Sequence, residues 1–269
     1  MLDKAEPFGD FTSIAREGRV AVVTFDRGDG LNALSVAAMK ELTAVADSFE
    51  DDLETSAIVL TGTGKAFSAG ADLKDPALAE RPSGLLHRRH ALKAGPNMCA
   101  AWERLEQVTI AAVEGFCIGG GSALVAACDI RVAGASANFR LPEIPLGMNM
   151  SWHSNPRLVN LMGPAKAKLF TILGESLPAV EALDWGLIEK VVEAGSARAE
   201  AIDLAARFGA LPPVAVRMSK QSIDMAAKAL NHATTYMDRD QFALAATSKD
   251  QTEAIAAFLE KRTPHFTGE

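Results

Sequence analysis

Gly115-Phe116-Cys117-Ile118-Gly119-Gly120-Gly121-Ser122 is the stretch on which the reading of this chain turns. An apolar, β-branched run at residues 108–113 precedes it, and an apolar helical segment at 122–127 follows, so the three bare glycines sit where a strand hands over to a helix. A further strand is expected at 130–133. The same alternation appears upstream. Residues 20–25 form a short β-branched run, and Arg27-Gly28-Asp29-Gly30 is a turn cluster. Ser35 then opens a helix whose Ala38, Met39, Leu42, Val45, Ala46 and Phe49 fall on one face, and residues 57–60 form a second apolar strand. Strand, helix, strand in this order defines an α/β class with βαβ connections. Past Leu158 the pattern turns helical, with helices predicted over 164–173, 178–185, 197–208, 214–230, 233–246 and 249–260, and one strand over 187–192.

The chain has 269 residues, and 27 Lys plus Arg against 34 Asp plus Glu give a formal net charge of −7. Nucleic acid is not an expected partner, because its binding rests on clustered cations that neutralise phosphates. No apolar run reaches the length of a membrane span, and residues 1–12 lack the basic and apolar regions of a signal peptide. The three cysteines, Cys99, Cys117 and Cys128, form no CxxC pair and fit buried thiols in a reducing compartment. A cytoplasmic location, no membrane partner and no metal are the expectations.

Two phosphate-binding readings of the glycines fail. Gly64-Lys65 is followed by Ala66 rather than Ser or Thr, so it is not a P-loop, and Leu124 stands where a dinucleotide fingerprint built on Gly119 and Gly121 needs glycine or alanine. Two readings stay open for residues 119–121: tight turns alone, or unobstructed N–H groups at a helix start that hold a ligand oxygen. In the second case a further donor must come from another loop, and Ala69-Gly70-Ala71 lies in the matching place after the strand at 57–60.

Asn32-Ala33-Leu34-Ser35, Ala66-Phe67-Ser68-Ala69-Gly70-Ala71-Asp72-Leu73-Lys74, the glycine triplet, Cys128-Asp129, Pro142-Glu143, Ala182-Leu183-Asp184-Trp185-Gly186-Leu187-Ile188 and Phe258-Leu259-Glu260-Lys261-Arg262 occur in this order. Together they resemble the crotonase family, also called the enoyl-CoA hydratase/isomerase family, from about residue 14 to the C-terminus. The resemblance implies a spiral of ββα units over 1–200 and a helical oligomerisation region over 201–269 that builds homotrimers, usually paired into hexamers. It implies an acyl-CoA substrate and no separate cofactor, coenzyme A being part of the substrate. It also implies that the amides of Ala71 and Gly120 form an oxyanion hole for the thioester carbonyl, which gains charge when the α-carbon becomes enolate-like. By the same resemblance Asn32, Ala33, Ala69, Asp72 and Leu73 wrap the CoA arm, while Phe258 and Lys261 reach the CoA of a neighbouring subunit.

One departure bears on the chemistry. Hydratases of the family hold water between two glutamates, and this chain has Ala123 at the first position and Glu143 at the second. Alanine exchanges no proton, whereas family isomerases work with the one carboxylate at the position of Glu143. One-base double-bond isomerisation is therefore expected. The alternatives are a hydratase or lyase in which Ser151, His153 or a bound water replaces the missing group, and a non-catalytic CoA-binding protein. Trp152 and His153 stand where relatives carry a small, glycine-rich loop, so with Ala123 and Ser151 they are expected to reshape the acyl pocket. His153 is open to packing or to acid–base use. His87-Arg88-Arg89-His90, with Arg81 and Lys93, is either a solvated helix face or a contact for the CoA phosphates.

Overall fold

The computed structural model describes residues 3–63, 65–79 and 84–269; Gly64 and Arg81, singled out above, lie outside them. The chain opens with β1 (Glu6–Pro7), β2 (Thr12–Glu17) and β3 (Val20–Phe25), followed by helix α1 (Val36–Asp47). Ser35 caps α1 as its sequence position predicts, its hydroxyl accepting from the Ala38 N–H at 3.1 Å. Next come β4 (Ala57–Gly62), β5 (Ala66–Ser68), α2 (Pro76–Ala79), α3 (Leu85–Ala91) and α4 (Ala94–Glu103). Then follow β6 (Val108–Val113), β7 (Phe116–Ile118), α5 (Gly120–Ala127), β8 (Ile130–Gly134), β9 (Asn138–Arg140), a 3-10 turn (Ile144–Leu146) and α6 (Ser154–Lys168). The remainder is β10 (Leu177–Pro178), α7 (Ala179–Trp185), β11 (Lys190–Val192), α8 (Ala197–Gly209), α9 (Pro213–Lys228), α10 (Asn231–Thr235), α11 (Asp238–Ala245) and α12 (Lys249–Glu260).

The strands form two sheets, one in the order β1-β2-β3-β4-β6-β8-β11 and a smaller one in the order β10-β9-β7-β5. From β3 to β11 the large sheet is parallel. Three times the chain lays a strand in the large sheet, a short strand in the small sheet, and then helix: β4 and β5, β6 and β7, β8 and β9. This is the ββα spiral of the crotonase fold. The central strands read as unbroken apolar runs because both faces are covered. Ala21, Val23, Ile58, Leu60, Ala111 and Val113 enter the main core with α1, α4 and α5, while Val20, Val22, Ala57, Val59, Ile110 and Ala112 face Ala197, Ala201 and Ala205 of α8. Alanine at every fourth position lets α8 lie close on the sheet, and the same helix runs through residue 200.

Some expected boundaries are corrected. The helix predicted over 164–173 does begin at Pro164, after Gly163 at φ 75° and ψ 164° interrupts an additional helical stretch that starts at Ser154, and it ends in a π-helical segment over Leu169–Leu173. The helix predicted over 233–246 breaks into α10 and α11 around Tyr236 and Met237. Strand 187–192 shrinks to β11, because Leu187 and Ile188 donate back to the Ala182 carbonyl. All three cysteines are free and buried, and burial pushes the Cys99 thiol up to about 12.

Candidate active site

Gly119 adopts φ 52° and ψ −116° immediately before α5, a conformation closed to ordinary side chains. The Ser68–Ala71 loop is drawn against this turn. A Cβ on Gly70, itself at φ 85°, would stand 2.7 Å from the Ile118 carbonyl oxygen and 3.6 Å from the Gly120 nitrogen, and one on Gly121 would stand 2.8 Å from the Ser68 Cβ. Glycine at both positions permits this approach. The loop is held from its other side: Ala69 donates to the Leu31 carbonyl, Leu34 to the Gly70 carbonyl and Asp72 to the Leu34 carbonyl. In that parallel bridge the Ala71 N–H points away from Leu34. Among the described residues, neither the Ala71 nor the Gly120 N–H has a hydrogen-bond acceptor. Gly120 is also the first residue of α5, whose dipole adds positive potential there.

Glu143 approaches the same turn from the Pro142-Glu143 corner. Its backbone carbonyl accepts from Leu146 and Met148, which anchors the corner ahead of the 3-10 turn. Its Oε1 lies 2.7 Å from where a Gly119 Cβ would stand, so only glycine at 119 leaves room for the carboxyl. Oε2 is buried and has no hydrogen-bond partner. Burial pushes the carboxyl up to about 7, against smaller opposing pulls from a backbone hydrogen bond and Arg140. A desolvated carboxyl with one oxygen left without a partner is costly, and its proton is exchangeable near neutral pH.

Ala123 is buried one helical turn beyond Gly120 and brings no titratable group. Ser151 is buried, and its carbonyl accepts from the Ser154 hydroxyl at 2.7 Å. Trp152 and His153 both lie in the left-handed region, at φ 62° and 60°. The Trp152 indole fills the space between two glycines: a Cβ on Gly120 would overlap ring carbons Cζ3 and Cη2, and one on Gly95 of α4 would overlap Cε2 and Cδ2. Buried Asp238 accepts the His153 backbone N–H at 2.9 Å and also holds the Trp152 backbone. Arg157 donates from Nη1 to the Trp152 carbonyl at 2.8 Å and pairs through Nε and Nη2 with both carboxylate oxygens of Glu103 at 2.9 and 2.6 Å. The His153 imidazole is pulled below its usual pKa by burial, then by Arg157, and is neutral at pH 7.

The residues expected to wrap CoA are gathered in one loop cluster, but their side chains are mostly committed elsewhere. Asn32 is fully buried at φ 51°, its Nδ2 donating to the carbonyls of Phe25, Thr63 and Ala66 and its Oδ1 accepting from Arg27 N. Asp72 pairs with Arg27 at 2.8 Å and is held below its usual pKa by that hydrogen bond. The same guanidinium donates to the Ala33 carbonyl at 2.6 Å. These side chains shape the loop and leave its backbone to a ligand. Leu73 is 70% exposed and Phe258 61% exposed, each an apolar side chain without cover in the single chain. Lys261 is the left-handed C-cap of α12. That helix packs its first turns on the Glu143 loop, where a Cβ on Gly147 would come within 2.5 Å of the Gln251 Cα.

Within the basic cluster, Arg89 is not a free solvated charge: it pairs with both oxygens of Asp240 on α11, at 2.6 and 3.3 Å. Gly95, Glu103, Arg157 and Asp238 were not legible as site residues. A cavity of about 650 Å³ opens elsewhere, between the end of α5 and helices α6, α8 and α9. Its charged groups are already paired, Lys220 with Asp129 at 2.6 Å and Lys228 with Asp224 at 2.9 Å.

The family model for enoyl-CoA hydratase/isomerase matches residues 15–269. The chain is 36% identical over 257 residues to a probable enoyl-CoA hydratase of Mycobacterium bovis, covering 94% of this chain and 96% of that one. It is 36% identical over 254 residues to a short-chain-enoyl-CoA hydratase of Clostridium acetobutylicum, covering 93% and 94%. The crystal structure of an enoyl-CoA hydratase/isomerase from Pseudoalteromonas atlantica superposes with a TM-score of 0.85 at 29% identity, covering 95% of this chain and 99% of that one. The chain belongs to the crotonase, or enoyl-CoA hydratase/isomerase, family and is an enzyme of that type.

Proposed function

We propose that the chain shifts the double bond of an enoyl-CoA thioester, with Glu143 as its only acid–base group. One observation carries the reading: Glu143 presents a desolvated carboxyl of pKa about 7, its buried Oε2 without a hydrogen-bond partner, at the glycine turn, while Ala123 supplies no second acid. In this scheme the thioester oxygen of a 3-enoyl-CoA accepts hydrogen bonds from the Ala71 and Gly120 amides. The Glu143 carboxylate takes a proton from C2, the released electron pair forms the C1–C2 double bond of a dienolate that keeps its C3–C4 double bond, and the carbonyl π pair moves onto the held oxygen. The Glu143 carboxyl then returns the proton to C4, giving the 2-enoyl thioester with no redox change and no water consumed. On that protonation the oxygen pair re-forms the carbonyl and the C1–C2 pair becomes the C2–C3 double bond. Each preorganised donor is worth roughly 2.7 to 4 kcal/mol on such a charge.

The loop backbone at Asn32, Ala33, Ala69, Asp72 and Leu73 would carry the CoA arm. The apolar side chains left bare, Phe258 among them, would be covered in a homotrimer or hexamer, as would suit residues 201–269. A cytoplasmic enzyme needing no other cofactor completes the proposal.

Hydration is the second reading, favoured by the names of the relatives above. It requires a second proton carrier, for which the neutral His153 is the candidate. The deciding experiment follows crotonyl-CoA plus water and a 3-enoyl-CoA by thioester-conjugation absorbance, with Glu143→Gln as control. Isomerisation without hydration, lost in the variant, supports the one-base scheme. Fast hydration overturns it and directs attention to His153.

A further inference from the structure

Adjacent left-handed residues at Trp152 and His153 are locally strained and persist only where their surroundings over-determine them. Those surroundings are present: Asp238 accepts at the His153 and Trp152 backbone, and Arg157, itself locked on Glu103, donates to the Trp152 carbonyl. What this clamp delivers is the indole, set between Gly120, whose amide faces the thioester in the function proposed above, and Gly95 on the neighbouring helix. Both glycines are places where any side chain would collide with the ring, so the two helices leave a slot that the indole occupies.

We propose that Trp152 is the end wall of the acyl site and makes the enzyme selective for short, slim acyl chains, with Asp238 and Arg157 as positioning residues that hold the wall in place. The inference rests on the acyl-CoA reading. An acyl chain bound by its thioester at Gly120 meets a rigid aromatic face where a small residue would leave room for more methylenes. Burying a methylene improves affinity by about fourfold, so the wall determines the length at which this gain stops.

The test is calorimetric binding of CoA and of acetyl-, butyryl-, hexanoyl-, octanoyl- and dodecanoyl-CoA, saturated thioesters that need no turnover. For the unmodified protein we expect affinity to rise to butyryl and then level or fall. For Trp152→Ala the rise should continue by about fourfold per methylene over the next few carbons. Trp152→Phe, which keeps an aromatic ring, should shift the limit less and decides the matter if the alanine variant does not fold. Asp238→Asn should broaden the limit, which a merely stabilising role would not do. An identical length profile in the unmodified protein and in a folded Trp152 variant overturns the wall while leaving the acyl-CoA reading intact. Absence of binding for CoA and every thioester overturns both, and an unmodified profile rising through dodecanoyl overturns the wall alone.

Discussion

Residues 68–71 and residues 151–153 both come up against Gly120, the first through Gly70 and the second through the Trp152 ring, and they are built on opposite principles. The first loop is relaxed and held through its backbone. Its turn is made by a glycine at φ 85°, its outer side is laced by backbone hydrogen bonds to residues 31–34, and Asn32 fills the space beneath with four hydrogen bonds. The second puts tryptophan and histidine in backbone conformations that suit glycine and retains them with the buried charges of Arg157 on α6 and Asp238 on α11, Arg157 being held in turn by Glu103 on α4. A site that offers backbone donors needs only absence of side chains, whereas one that presents a large ring at a chosen place needs support from several elements.

Several substitutions test that contrast. The largest effect is expected at the proton carrier beside Gly119: Glu143→Gln should lower turnover of a 3-enoyl-CoA by roughly 10² to 10⁴-fold, read by steady-state kinetics with little change in KM. Gly120→Ala should cost roughly 10² to 10³-fold in kcat, since the new methyl overlaps the indole and displaces the amide. Combining it with Trp152→Ala should recover part of that loss. Arg157→Met should destabilise the fold by about 1–3 kcal/mol in urea titration, because it frees the Trp152 carbonyl and leaves the half-buried Glu103 with only Lys228, at 3.7 Å, among the described residues. A loss below about 1 kcal/mol would show that the clamp is not what retains the strained turn.

A subtler effect comes from pH. The folded protein holds the Glu143 proton up to about 7 against a usual value of 4.5, so its contribution to stability is fully present below 4.5 and is lost as pH rises through 7. Glu143→Gln should therefore gain on the unmodified protein across that window, by roughly 3 kcal/mol at pH 8 in paired denaturation curves. Isomerase activity of the unmodified protein should rise over the same range as the base ionises. The smallest change is expected in the relaxed loop's outer ion pair, where Asp72→Asn should cost no more than about 1 kcal/mol because the Arg27 pair is partly exposed.

Much of the large sheet was legible. Residues 20–25 and 108–113 are strands over those residues, and Ser35 caps α1, because an unbroken β-branched run and a capped amphipathic helix are local signals. The small-sheet strands were not legible: β5, β7 and β9 are three residues each, too short to show a period. In the site, the glycine turn, Glu143 and the alanine at 123 could be named from motif order. The side-chain use of Asn32 and Asp72 could not, since their partners Ala66 and Arg27 are brought to them only by the fold.

By itself the sequence determined the α/β class, the bare backbone at Gly119 and Gly120, the single carboxyl at Glu143 and the absence of one at 123, because patterning, missing side chains and residue chemistry are properties of the chain read in order; the ββα spiral came only from the family resemblance. Only the tertiary structure decided that Glu143 is desolvated with its Oε2 unpartnered, that Trp152 stands between Gly95 and Gly120, and that Asp238 holds the turn at His153 from 85 residues away. Solvation and contact across such separations follow from packing, and no local pattern in the chain encodes them.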